Sequence, residues 1–136
     1  MMHAVPLTVL PLIAYNLIGY SLSGADPWAT EFLAVPMPSG AHWSPRLGDI
    51  LVVFAIAMVC VEVVRAAAPS PGAALNRILS TVVLIVYVAE FLAADVAAHS
   101  VFFILMAIAL IDVVAGYTIR RARREAAADR DAGEPL

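Results

Sequence analysis

The chain has 136 residues and a formal net charge of −3; 62% of its residues are hydrophobic, 14% are charged, and the mean hydropathy is +0.90. A soluble domain has about 45–50% apolar and about 25% charged residues. The apolar excess lies in runs of about twenty residues, the helix length that crosses a hydrocarbon core of about 30 Å. The composition predicts one small all-α membrane domain. It excludes a basic nucleic-acid-binding surface, because the arginines are few and are not interleaved with aromatic residues.

The first predicted span covers residues 4–22. Pro6 suits a first helical turn, whereas Pro11 is expected to lie inside the helix and bend it. A cleaved signal peptide is the alternative, since Ser23 and Ala25 fit the small-residue pattern before a cleavage site. No lysine or arginine precedes the apolar run, so we expect the span to be retained.

Residues 23–47 form the longest predicted loop, which prolines and glycines interrupt. Asp26 followed by Pro27 is typical of a helix start, and residues 28–35 could form two helical turns with Trp28 and Phe32 on one face. Trp28 and Trp43 suit the headgroup level of a bilayer. We therefore expect the loop to lie on the membrane surface; the alternative is an irregular lid over the helices.

Three further spans are predicted, at residues 48–67, 75–97 and 100–119. A breaker cluster at 69–72 and a tight hairpin at 95–100 separate them. Residues 1–124 thus form a single antiparallel bundle of four transmembrane helices. The tail, residues 125–136, is expected to continue the last helix for a turn or two and then fray.

The arginines predict the orientation. The chain has eight arginines and no lysine, and four spans place all of the arginines except Arg46 on the side of both termini. The positive-inside rule then predicts cytoplasmic termini in a cell inner membrane. The cluster Arg120, Arg121, Arg123 and Arg124 is expected to anchor this topology, or alternatively to bind anionic lipid headgroups.

Three carboxylates lie in the predicted spans away from the first and last few residues: Glu62, Glu90 and Asp112. Ionisable groups in a membrane are costly and usually face the protein interior or water. Along the helix axis, Glu62 lies about 4–5 Å from Arg65, and Asp112 lies about 12 Å from Arg120. Glu90 lies about 20 Å from Arg77, so the three are expected at different depths.

Each carboxylate has a structural and a functional interpretation. Glu62 is expected to pair with Arg65, three residues later. Glu90 and Asp112 are expected to form hydrogen bonds between helices, with Asn16 and Tyr87 as candidate donors; the alternatives are a proton or cation relay, or contacts with another subunit. Around Asp112, the small residues Ala109, Ala115 and Gly116 predict a close helix–helix contact.

No catalytic motif, cofactor motif or metal-ligand spacing is present, and a metal site formed by His42, His99 and Asp95 is a weaker alternative. The lone cysteine, Cys60, excludes an intramolecular disulfide. We therefore predict a protein that is not an enzyme and has no cofactor and no metal.

Several short segments resemble a group of small four-span bacterial inner-membrane proteins of unassigned function. They are PLIAYN at 11–16, GD at 48–49, LS at 79–80, EFL at 90–92, SVFF at 100–103 and DVVAG at 112–116. The resemblance implies a bacterial inner membrane and no particular activity. The chain is unlike the small multidrug transporters, whose first span carries a lone central glutamate, because Asn16 occupies that span here.

Two functions from different classes remain open. The first is a non-enzymatic accessory or scaffold subunit that packs in the lipid bilayer against itself or against a larger membrane complex. The second is a small oligomeric transporter or channel in which Glu90 and Asp112 relay protons or cations. A membrane enzyme acting on lipid is the weakest alternative.

Overall fold

The computed structural model describes residues 5–22, 24, 26–69 and 71–133, and it is all-helical apart from one small hairpin. The residues of the predicted cleavage site, Ser23 and Ala25, lie outside the described residues, as do Ser70 of the predicted breaker cluster and the start of the first predicted span. The helices are α1 (Val9–Ser21), α2 (Leu47–Ala67), α3 (Ala73–Ala93) and α4 (Ser100–Gly133). The strands are β1 (Val35–Pro36) and β2 (His42–Trp43), and Pro27–Ala29 and Asp95–Ala97 are 3₁₀ turns.

Among the described residues, three helices are long and apolar enough to cross a membrane: α2, α3 and α4. The prediction of an all-α protein with membrane-spanning helices is confirmed at that level. Helix α1 is apolar but has only 13 residues, about 20 Å of rise. The four-span count and the orientation therefore stay predictions.

Helix α1 starts later than the sequence indicated, and this changes the role of Pro11. With Thr8 as the N-cap residue, Pro11 falls in the first helical turn. The amides of that turn have no partner within the helix, so proline is tolerated there without a bend. The predicted bend at Pro11 is wrong for this reason.

The helices run antiparallel in sequence order, as contacts at their two ends show. At one end, the Leu7 amide and the Asn76 side chain both bond to Glu62 near the end of α2. We call this the arginine end, because it holds Arg65, Arg77 and residues 120–124. At the opposite end, here the loop end, Gly48 at the start of α2 meets Val101 at the start of α4.

The long loop folds differently from the prediction. Asp26 accepts a hydrogen bond from the Trp28 amide at 3.0 Å, as expected of a helix start, but only one 3₁₀ turn follows. The next residues are extended, with hydrogen bonds from Phe32 N to Pro45 O and from Leu47 N to Thr30 O, both 2.9 Å. Since these bonds satisfy the backbone across the loop, the two predicted helical turns do not form, and β1 pairs with β2 beyond them.

Trp28 is a core residue rather than a surface anchor. Its side chain is 4% exposed, whereas Phe32 is 65% exposed, so the two do not share a face. The Trp28 ring stacks on Tyr15 with 4.3 Å between centroids, and Tyr15 meets Phe102 edge-on at 4.8 Å. Tyr87 lies 5.4 Å from Phe102 on its other side. We call Tyr15, Trp28, Tyr87 and Phe102 the aromatic cluster.

The last two helices differ from their predicted bounds in opposite senses. Helix α3 ends at Ala93, not at residue 97, because the 3₁₀ turn Asp95–Ala97 begins the connection. Helix α4 continues unbroken through the arginines to Gly133. The alanine-rich sequence favours helix, and Arg121 pairs with Glu125 one turn on at 2.8 Å. The predicted continuation of the helix beyond the arginines is thus present, and it reaches residue 133, about two and a half turns into the tail.

Candidate functional site

A cavity of about 380 Å³ lies at the arginine end between α2, α3 and α4. Its walls are partly apolar, with Ala66, Val113 and Ile119 among them. Its polar and charged lining residues are Glu62, Arg65, Asn76, Arg77, Ser80, Asp112, Arg120, Arg123 and Arg124. This mixture of both charges in one concave space is the main polar feature of the described residues.

Glu62 joins three elements at the floor of the cavity. It is 2% exposed, and it accepts hydrogen bonds from the Leu7 amide at 3.2 Å and from the Asn76 side-chain amide. Arg65 Nη1 lies 3.5 Å from Glu62 Oε2, the pairing that the sequence indicated. The carboxylate thus holds the start of α1 and of α3 against α2.

Asp112 is the second carboxylate of the floor. It is 4% exposed, and the Thr8 hydroxyl donates to its Oδ2 at 3.3 Å. Ser80, 5% exposed, lines the same cavity from α3. The side-chain oxygen Oδ1 of Asn76 is buried with no hydrogen-bond partner among the described residues. The floor is therefore rich in hydrogen-bond acceptors.

The rim of the cavity is cationic. Arg77 packs along Gly116, where an added Cβ would lie 3.4 Å from Arg77 Cγ, and Arg123 donates to the Ala67 carbonyl at the end of α2. Arg120 and Arg124 complete the rim. In the part of the chain that the structure describes, Arg77, Arg120 and Arg124 form no ion pair with a carboxylate. Guanidinium groups without such partners are available to an anion.

The four-arginine cluster is split by the helical period. Arg120, Arg123 and Arg124 face the cavity, since residues three and four apart share one side of a helix. Arg121 points away, is 83% exposed and pairs with Glu125. From the sequence, one common role was expected for all four arginines, whereas in the structure three of them line the same cavity.

The predicted depths are wrong for Glu62 and Asp112, which the structure brings to one cavity. The predicted depths of Glu62 and Asp112 were counted from Arg65 and Arg120, which is valid only if these two arginines lie at the same height in the membrane. Arg77 instead packs beside Gly116, four residues before Arg120, so Arg120 lies about 6 Å farther out. Measured from Gly116, Asp112 is only about 6 Å deep, close to the depth of Glu62.

Glu90 is separate from this cavity. Its Oε2 accepts a hydrogen bond from the Asn16 side chain at 2.8 Å, and Asn16 also donates to the Leu12 carbonyl at 3.1 Å. Tyr87 bonds the Thr8 carbonyl at 3.2 Å rather than a carboxylate. Of the two candidate donors, Asn16 meets a carboxylate and Tyr87 does not.

The small residues of α4 are used for packing within the chain. Ala109 is 2% exposed in the core, Gly116 lies against Arg77, and Ala115 is half-buried. The close approach predicted around Asp112 thus occurs between α4 and its own neighbours. Part of this face is therefore already used for packing within the chain.

At the loop end, the histidines do not converge. His99 Nε2 lies 3.4 Å from Asp26 Oδ2, and His99 Nδ1 accepts from the Val101 amide at 3.1 Å, while His42 is exposed in β2. Within the described ranges, no three histidine, cysteine, aspartate or glutamate residues are grouped as metal ligands would be. The alternative of a site formed by His42, His99 and Asp95 gains no support.

Sequence reasoning missed Thr8, Asn76 and Ser80. Asn76, Ser80 and Tyr87 recur at spacings of four and seven residues on α3, the period of one helix face. That polar stripe was a signal for the inward face of α3. Thr8 gave no such signal, because it lies before α1 and bonds α4 across the chain.

Comparison with known proteins provides no assignment. No protein-family model, no curated protein and no solved structure matches the chain. The interpretation of the cavity therefore depends on its own geometry.

Proposed function

We propose that this chain is a small non-enzymatic accessory or scaffold subunit of a membrane, which packs against itself or against a larger membrane complex. All four helices would lie in the bilayer as an antiparallel bundle, with α1 embedded beside the three long helices. The arginine end, with both termini, would face the cytoplasm of a cell with an inner membrane, in keeping with the positive-inside rule.

The observation that carries the proposal is the closure of the loop end by the aromatic cluster. Tyr15 and Phe102 have no exposed surface, Tyr87 is 1% exposed, and Trp28 is 4% exposed. These side chains lie between the cavity and the loop end, and Glu90 is bonded to Asn16 outside the cavity. Such packing is expected of a protein whose polar groups hold its helices together. It is less suited to a protein that conducts ions.

The outer surface supports a packing role. Of the 21 residues of α3 only Ser80 and Tyr87 are buried, and large side chains project from the helix along its length. Exposed residues include Leu75, Ile78, Val82, Ile85 and Leu92. In a bilayer this face would meet lipid tails or another helix, and since the small residues of α4 are already used, it is the face that we propose for a partner.

The test is purification in a mild detergent, followed by mass measurement and native electrophoresis. The proposal expects a self-assembled species or a stoichiometric membrane-protein partner. Replacing Ile78 and Ile85 by alanine should shift the protein toward the monomer, while Arg121→Gln, on the exposed tail side of α4, should not. A monomeric wild type with measurable turnover of a substrate would overturn the proposal.

A transporter or channel is the second candidate, and the cavity is the observation that favours it. Glu62 and Asp112 lie in a space that opens at the arginine end, as one state of an alternating-access carrier would. This candidate requires the aromatic cluster to separate in a second state. Proton or cation flux in reconstituted vesicles that is lost in Asp112→Asn would favour it over the scaffold.

A further inference from the structure

We propose that the cavity at the arginine end binds a phosphate ester that carries a primary amine. The ammonium group would lie against Glu62 and Asp112, and the phosphate would lie between Arg77 and Arg120. Binding there is independent of the partner proposed above, because the lining residues belong to this chain alone.

The floor of the cavity selects a cationic donor. Asp112 accepts hydrogen bonds from the hydroxyls of Thr8 and Ser80, although a carboxylate can accept about four. Asn76 Oδ1 accepts none among the described residues although it is buried. A primary ammonium group supplies three donors and a positive charge, so it fills acceptors that an uncharged or anionic group would leave empty.

The rim selects an anion. Five arginines line the cavity against two carboxylates, and Glu62 is already paired with Arg65. Arg77, Arg120 and Arg124 have no carboxylate partner within the described residues. Guanidinium groups bind phosphate oxygens with two parallel hydrogen bonds, which makes a phosphate the anion that this rim fits best.

The spacing of floor and rim limits the length of the ligand. Gly116, against which Arg77 packs, is four residues from Asp112, or about 6 Å along the helix. A ligand whose amine and phosphate are joined by a short linker, of about two carbons, fits the nearer of the two arginines proposed for the phosphate. The cavity volume of about 380 Å³ lies in the usual range of about 300–1,000 Å³ for small-molecule sites. Both phosphoethanolamine and the headgroup of phosphatidylethanolamine have this chemistry.

The test measures binding to the full chain in a maltoside detergent. Phosphoethanolamine is compared with phosphocholine by calorimetry, and phosphatidylethanolamine with phosphatidylcholine by native mass spectrometry. The choline forms carry the same charges, but their amine has no N–H donor. We expect the ethanolamine form to bind about tenfold tighter in at least one pair, because hydrogen bonds between charged groups are the strong ones. A preference in the lipid pair alone identifies a lipid headgroup, and one in the soluble pair alone identifies a free metabolite.

Variants separate the two ends of the site. Asp112→Asn should reduce the preference for the amine to about twofold or less, and Arg120→Gln should weaken both forms by about tenfold. The matched controls are Glu90→Gln, an intramembrane carboxylate outside the cavity, and Arg121→Gln, the neighbouring arginine that faces away. Both controls should bind as the wild type does.

Three results would overturn the proposal. They are no binding of any of the four probes, equal binding of ethanolamine and choline forms, and equal losses in Arg120→Gln and Arg121→Gln. Because Arg120 is at the rim and not in the core, its variant should keep the wild-type unfolding temperature, so a loss of binding there reports the site and not the fold.

Discussion

Glu62 stabilises the arginine end because it connects three parts of the chain. Its carboxylate accepts from Leu7, from Asn76 and from Arg65, so α1, α2 and α3 meet at one buried side chain. Glu90 accepts one hydrogen bond, from Asn16. The two carboxylates look alike in the sequence, but the number of donors around them differs.

We predict that Glu62→Ala lowers the free energy of unfolding by about 3 kcal/mol, because buried donors left without an acceptor each cost about 1–3 kcal/mol. Glu90→Ala should cost about 1 kcal/mol, since it frees a single, partly exposed donor. Denaturant unfolding in mixed micelles measures both values. Equal losses would show that Glu62 does not have this connecting role.

Gly48 is required at the contact between α2, α4 and the loop. A Cβ at this position would lie 2.7 Å from Val101 Cγ2 and 3.2 Å from the Trp28 carbonyl oxygen. We predict that Gly48→Ala destabilises the protein by about 1–3 kcal/mol, as overpacking does. Gly133→Ala, which meets nothing within 4 Å, should change stability by less than about 0.5 kcal/mol. Thermal unfolding of the two variants in detergent checks this, and an unchanged Gly48→Ala would contradict the close approach.

The long loop closes one end of the helices through Trp28. Its one buried tryptophan enters the core, which agrees with the lid, one of the two alternatives that the sequence left open. Trp43, the other tryptophan, is 57% exposed in β2. From the sequence, both tryptophans were expected at the headgroup level, because a loop tryptophan at the membrane interface cannot be told from one that packs into the core.

We predict that Trp28→Ala lowers the free energy of unfolding by about 3–5 kcal/mol, the range for large aromatic residues removed from a core. Trp43→Ala should cost less than about 0.5 kcal/mol. Single-tryptophan variants check the positions independently. In Trp43→Phe, the remaining Trp28 should resist quenching by acrylamide, and in Trp28→Phe the remaining Trp43 should be quenched. The reverse pattern would refute the lid.

The helices themselves were largely predictable, and their ends were not. Apolar runs give α2, α3 and α4 because twenty apolar residues leave the backbone no other satisfied form in lipid. Their limits depend on tertiary structure: α1 begins after Thr8, whose hydroxyl bonds Asp112 of α4, and α3 stops at Ala93 before a 3₁₀ turn. The alanine-rich tail stays helical to Gly133, about two and a half turns, close to the turn or two that its composition predicted.

The two ends of the helical arrangement differ. The loop end is closed by the aromatic cluster, and the arginine end contains the cavity with its acidic floor and cationic rim. The charge asymmetry between the ends was visible in the sequence. The meeting of Glu62 with Asp112 was not, because it depends on the relative axial shift of α2 and α4, and periodicity within each helix carries no information on that shift.

We predict that the cavity is accessible from the arginine end alone. Replacing Cys60 by serine removes the lone cysteine, and Ser80→Cys then places a thiol of nearly the same size in the cavity wall. In vesicles of known orientation, a small charged thiol reagent should modify this cysteine from the cytoplasmic side only. Modification from the opposite side, or from both, would contradict the closed loop end and the orientation together.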